Sequence, residues 1–206
     1  MLVYITEIQP FFNLRGIKLV TEKRRERILS YVRVEDKARC LVAGLFMRHV
    51  CGVTDDSLLT YGENGKPYLK DGGMYFNISH SGDYVVLVAA EREIGVDIEK
   101  ITPYSSAVAA RCFTPDELEW LKLQGTDEAF CRLWTAKESI MKKLGLGLVM
   151  PPESFCVLPL NSSAKSIGGN LYFLDWFNYN GHIICRALEG GDETNEMVYI
   201  KANTLK

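Results

Sequence analysis

The stretch "NISHSGDYVVLVAAEREIGVDIEK", Asn77 to Lys100, decides the fold. Its middle is apolar and rich in valine, which predicts a strand over 84–91. "SGD" at 81–83 predicts a tight turn from a preceding strand at 74–79, and a further strand is predicted over 94–99. Strand residues i and i+2 face the same side. Val96 and Ile98 are then expected to face the core, while Asp97 and Glu99 share the other face. Their charges would lie about 6 Å apart, a repulsion of about 3 kcal/mol at an effective dielectric near 20 and under about 1 kcal/mol in open water. One reading is an exposed edge strand with solvated carboxylates. The other is a hard-cation site, and few oxygen ligands suit Mg²⁺, which keeps waters and takes further oxygens from substrate phosphates.

Outward from this stretch, "MLVYITEIQ" predicts a strand over 2–9. Helices are predicted over 21–33, with Thr21 as N-cap, and over 35–50, with Leu41, Leu45 and Phe46 on one stripe. "GENGKPYL" (62–69) predicts a turn. "TPDELEWL" (114–121) opens a helix with Thr114 at N-cap and Pro115 at N1. The longest helix is predicted over 127–144, and strands over 154–160, 171–177, 182–188 and 196–201. Helices lead into strands twice, which predicts an α+β protein of two abutting halves, 1–103 and 104–206, divided near Pro103.

Composition sets limits. The 206 residues suit one domain or two small ones, and 47% apolar residues can build a core without staples. A net charge of −2 argues against non-specific nucleic-acid binding. The N-terminus lacks a signal-peptide pattern, and no run approaches the roughly 18 apolar residues of a membrane span. Six scattered cysteines, never as CxxC, are expected to be free thiols in a reducing cytoplasm. Neither nucleotide loop, GxxxxGK[ST] or GxGxxG, is present, and neither is GxSxG or HExxH.

In "WTAKESIMKKLG", Trp134, Ile140 and Met141 are apolar anchors, and Glu138 and Lys142 form an i,i+4 pair in the favourable order. Glu138 is either one charge of a solvated face or a third metal carboxylate. His80, between Ser79 and Ser81 before Gly82, is either structural or faces a ligand. Lys66 in "GKP" sits in a rigid turn. The cluster 22–27, with Arg33, Lys37 and Arg39 beyond it, is either a solvated face or a phosphate-binding surface.

Taken in order, "GKP" (65–67), "FNISHSG" (76–82), "IGVDIEK" (94–100), "FTPDELEWL" (113–121) and "LWTAKESIMKKLGLGL" (133–148) resemble the 4′-phosphopantetheinyl transferase superfamily, specifically its Sfp-type group. The resemblance covers about 20–155, and beyond 155 only the strand-rich character matches. It implies a pseudo-dimeric fold with the active site in the cleft between two similar halves. It also implies transfer of the phosphopantetheine arm of coenzyme A to a serine of an apo carrier-protein domain, leaving 3′,5′-ADP. Asp97, Glu99 and Glu138 resemble the magnesium-binding carboxylates of that family. His80 and Lys142 resemble contacts to the coenzyme A phosphates, Ser79 and Lys66 line the same site, Arg39 resembles the arginine near the 3′-phosphate, and Lys23 is a helper there. The serine proton would pass to Glu138 or to a metal-linked water. The carrier is expected to meet the segment 104–121. A cytoplasmic monomer is implied, since both halves share one chain. No key motif position is replaced, which disfavours a degenerate relative. Two other functions compete: a non-catalytic coenzyme A or carrier-domain binding module, and a magnesium-dependent phosphohydrolase.

Overall fold

The valine-rich run over 84–90 becomes a strand buried on both faces, and the run over 94–98 is buried likewise. In the computed structural model, which describes residues 2–161, 165–190 and 196–205, the elements run as follows. Strand β1 (Leu2–Glu7) precedes helices α1 (Glu22–Ser30) and α2 (Val34–Cys51), then strands β2 (Leu59–Tyr61), β3 (Pro67–Leu69), β4 (Tyr75–Ser81), β5 (Tyr84–Ala90) and β6 (Ile94–Lys100). Helices α3 (Ser106–Cys112), α4 (Pro115–Gln124) and α5 (Asp127–Leu144) follow, then strands β7 (Lys165–Ile167), β8 (Asn170–Tyr179), β9 (His182–Glu189) and β10 (Glu196–Tyr199). The chain is therefore mixed α+β, as expected.

It divides into two compact units, Met1–Arg92 with Glu193–Lys206, and Glu93–Asp192. The division thus falls between Arg92 and Glu93 rather than near Pro103, and β6 with both its carboxylates belongs to the second unit. The "IGVDIEK" strand pairs with β9, not with β5, which is why the boundary precedes it.

In the first unit, the sheet order is β10-β1-β5-β4, with β1 parallel to β10 and antiparallel to β5, and β4 antiparallel to β5. Leu41, Leu45 and Phe46 of α2 join Val85 and Leu87 of β5 and Phe76 of β4 in the core. The turn "GENGKP" joins β2 to β3 as a two-stranded hairpin. Thr21 stands at the N-cap of α1 without a side-chain bond, and Asp56 Oδ2 instead accepts the Lys23 amide at 3.0 Å. Gly44 permits the approach of α1 to α2: a Cβ there would stand 2.4 Å from Arg24 Cδ and 2.7 Å from Val20 Cγ1.

In the second unit, the sheet β6-β9-β8-β7 is antiparallel throughout. Helix α5 lays Leu133, Ala136, Ile140 and Met141 on a core shared with Tyr172, Leu174, Cys185 and Ala187. Thr126 Oγ1 caps its start by accepting the Ala129 amide at 3.1 Å, and Gly145, at φ 68°, ends it in the left-handed conformation that glycine adopts without strain. Thr114 and Glu117 form a capping box on α4. Glu117 then continues inward, its Oε2 meeting Lys137 Nζ at 2.7 Å with both side chains fully buried. Lys137 also donates to the carbonyls of Pro152 and Phe155.

The strand expected over 154–160 does not form. The Val157 amide donates to Glu117 Oε1 at 2.8 Å instead of to a ladder, and Pro159 has no amide to offer. Helix α3 was not anticipated, nor were β2, β3 and β7, which are short and carry little periodicity. All six cysteines are free. Among the described residues, no helix is long and apolar enough to cross a membrane.

Candidate active site

The expected strand alternation in "GVDIE" is present, and so is the expected core face, but the carboxylate face is not open to solvent. Val96 and Ile98 are fully buried, and Asp97 on the opposite face is only 2% exposed, so although β6 ends its sheet, Asp97 is not a solvated carboxylate. What covers the carboxylate face is α5. Gly95 lies two residues before Asp97 on the same face, and a Cβ on it would stand 1.9 Å from the Ser139 carbonyl oxygen and 2.5 Å from the Lys143 nitrogen. Only a residue without a side chain lets the helix backbone sit against β6 there. That approach brings the middle of α5, and with it Glu138 and Lys142, over Asp97 and Glu99. The role of Gly95 was not read from the sequence, although a glycine inside a strand is a known mark of close backbone approach.

Lys142 Nζ meets Asp97 Oδ1 at 2.5 Å and lies 3.9 Å from Glu138 Oε2. The helical pair Glu138–Lys142 is thus real but long, and the shorter partner comes from the strand. Burial pushes the Glu138 carboxyl above its ordinary range, the Asp97 and Glu99 charges push it further, and Lys142 opposes them. Glu138 therefore senses the charges of Asp97 and Glu99. Among the described residues, no three His, Cys, Asp or Glu side chains converge as a ready metal cage. Cys185 is paired with Asp97 across the sheet, and burial pushes its thiol far up, so it stays a neutral neighbour.

A second group of candidate residues lies in the first unit, around a cavity of about 410 Å³ lined by Arg24, Arg27, Tyr31, Arg39, Pro67 and His80, among others. Arg39 is fixed in place: Nε and Nη2 donate to the Gly82 carbonyl at 3.1 and 2.8 Å, and Nη1 to Asp36 at 2.8 Å. Arg27 Nε donates to the Tyr31 hydroxyl at 3.1 Å, and Arg24 Nη1 to the Cys40 carbonyl at 3.3 Å. Three guanidiniums and an imidazole share this concavity with one carboxylate, Asp36, which gives it a basic lining.

The structure brings Arg39 and His80 together there and leaves other expected members elsewhere. Ser79 is buried on the opposite face of β4 from His80, since neighbouring strand residues alternate. Lys66 is buried, with its ammonium 5.3 Å from the centre of the Tyr68 ring. Lys23 is exposed and does not line the cavity. Arg24 and Arg27, three apart on α1, line it. Their i,i+3 spacing within "EKRRER" was the available signal.

Comparison with known proteins agrees with both units. A sequence model described as 4′-phosphopantetheinyl transferase superfamily matches residues 93–189, and one described as 4′-phosphopantetheinyl transferase, N-terminal, matches 12–92. The 4′-phosphopantetheinyl transferase Sfp of Bacillus subtilis (strain 168) is 35% identical over 154 residues, covering 70% of this chain and 69% of the relative. A second Bacillus subtilis 4′-phosphopantetheinyl transferase is 35% identical over 152 residues, covering 69% of this chain and 68% of the relative. The 4′-phosphopantetheinyl transferase gsp of Aneurinibacillus migulanus is 32% identical over 146 residues, covering 67% and 61%. The chain belongs to the 4′-phosphopantetheinyl transferase superfamily, a family of enzymes. Within it, the chain falls in the Sfp-type group.

Proposed function

We propose that this chain transfers the 4′-phosphopantetheine arm of coenzyme A to a serine hydroxyl of an apo carrier-protein domain, as a magnesium-dependent, cytoplasmic monomer. The observation that carries the reading is the meeting of Glu138 and Lys142 with the Asp97 and Glu99 face inside one unit. In the reaction, the serine oxygen attacks the diphosphate phosphorus that bears the pantetheine arm, the phosphorus–oxygen bond to the nucleotide breaks, and 3′,5′-ADP leaves. The donors fit a hard divalent ion: all are carboxylate oxygens, one is almost fully buried, and the Glu138 carboxyl already responds to the charge of the other two. Asp97, Glu99 and Glu138 would hold the ion, which would neutralise charge developing on the diphosphate oxygens.

The protein's own groups do the rest. Glu138, on the face of α5 that meets Asp97, accepts the serine proton. Lys142 supplies a positive charge for the phosphates. Arg24, Arg27, Arg39 and His80 hold a phosphate group of the nucleotide end, with Arg39 braced by Asp36 and Gly82. Free thiols throughout suit a reducing compartment.

The test is intact-mass analysis of a panel of acyl, aryl and peptidyl apo carriers after incubation with the chain, coenzyme A and Mg²⁺. Gain of one phosphopantetheine on at least one carrier is expected. Tight coenzyme A binding with no gain on any carrier would establish a binding module instead. Release of phosphopantetheine without a carrier would establish a phosphohydrolase.

A further inference from the structure

We propose that Lys142 is a resident counter-cation: in the metal-free protein its ammonium neutralises Asp97, and a divalent ion must displace it before the site is complete. The inference rests on the divalent-ion reading given above. Asp97 is nearly buried and cannot be left as an isolated anion without a large desolvation cost. The Lys142 ammonium stands 2.5 Å from it, on a helix held against the strand by the contact at Gly95. The exposures of the two partners differ in the direction a displacement needs. The Asp97 side chain is 3% exposed and must stay, whereas that of Lys142 is 27% exposed, on a flexible stem that can swing away. The same ammonium also lies 3.9 Å from Glu138 Oε2, so it stands between two of the three carboxylates. An ammonium and a divalent cation cannot both occupy that space, because they repel each other and compete for the same oxygen.

The consequence is thermodynamic competition. The ion pair stabilises the metal-free fold and weakens metal binding by the same factor, since one must be lost to gain the other. Once displaced, Lys142 remains beside the site as a mobile positive charge for substrate phosphate.

The experiment uses Mn²⁺ alone as probe, with no coenzyme A, on the full chain. Free Mn²⁺ is counted by electron paramagnetic resonance, and thermal unfolding is followed with chelator and with saturating Mn²⁺. Wild type, Lys142→Gln and Asp97→Asn are compared. Lys142→Gln should unfold at a lower temperature than wild type in chelator, bind Mn²⁺ about tenfold tighter, and lose its stability deficit at saturation. Asp97→Asn should lose Mn²⁺ binding. If wild type binds Mn²⁺, Asp97→Asn does not, and Lys142→Gln binds equally or more weakly, the displacement idea is refuted while the metal reading stands. If none of the three proteins binds Mn²⁺, or Asp97→Asn binds as wild type does, both fall together. Should Lys142→Gln fail to fold, ammonium resonances of ¹⁵N-lysine wild-type protein decide. A slowly exchanging Lys142 ammonium in chelator should vanish on adding Mg²⁺, and its persistence at saturation would overturn the inference.

Discussion

Replacing Gly95 with alanine tests the geometry on which the whole site depends. The added Cβ would lie 1.9 Å from the Ser139 carbonyl oxygen, 2.5 Å from the Lys143 nitrogen and 3.0 Å from Lys143 Cα, all backbone atoms of α5. No rotamer change relieves a clash with backbone, so the helix itself must retreat. Restoring a 3.4 Å contact requires a displacement of about 1.5 Å at Ser139. Such a shift pulls Ala136, Ile140 and Met141 off Cys185 and Ala187 and opens gaps in a core that tolerates little. Overpacking usually costs about 1–3 kcal/mol, and this case stands at or above the upper end. In a unit of this size, about 3 kcal/mol lowers the midpoint of thermal unfolding by about 10 °C or more. Differential scanning calorimetry of the purified variant measures it. Gly73→Ala is the control, because its nearest heavy atoms lie 3.8 Å away or further, and its midpoint should match wild type. A Gly95→Ala midpoint within about 2 °C of wild type would refute the claim that α5 rests on β6 through this glycine.

Three other outcomes follow from the same contacts. Glu117→Gln leaves the fully buried Lys137 ammonium without its counter-charge, and urea unfolding should show a loss of about 3–5 kcal/mol; a loss under about 1 kcal/mol would contradict the buried pair. Glu138 titrates in the folded state above its ordinary 4.5, so the folded chain keeps a proton that the unfolded chain has released. Its contribution to stability is present below pH 4.5 and is lost as pH rises through the folded value. Urea unfolding in chelator between pH 4 and 7 should therefore show a steeper decline for wild type than for Glu138→Gln, and parallel curves would exclude the shift. Arg27→Ala should raise KM for coenzyme A severalfold with kcat little changed, as expected for loss of uniform binding; an unchanged KM would remove the cavity from the binding surface.

Much of this protein is written in short-range pattern. The sequence by itself determined the strands over 74–99, the two long helices, the Thr114 cap and the shared face of Asp97 and Glu99, because backbone geometry sets those periodicities within a few residues. Motif order sufficed to identify the family. Only the tertiary structure decided what lies on each face. Alternation shows that Asp97 and Glu99 point the same way, but not that α5 covers them, since that contact joins residues some forty positions apart. For the same reason the sequence pairs Lys142 with Glu138 while the structure adds the shorter contact to Asp97, and Ser79 and His80, adjacent in sequence, face opposite sides of β4. Arg24 and Arg27, not Lys23, line the cavity, because the contact at Gly44 sets which face of α1 meets α2. The unit boundary moved from Pro103 to Arg92 because β6 pairs with β9, some ninety residues later, rather than with its neighbour in sequence. Local propensity and periodicity are properties of a segment. Coverage, charge pairing and strand partnership depend on segments distant in sequence, and those are set only when the chain packs.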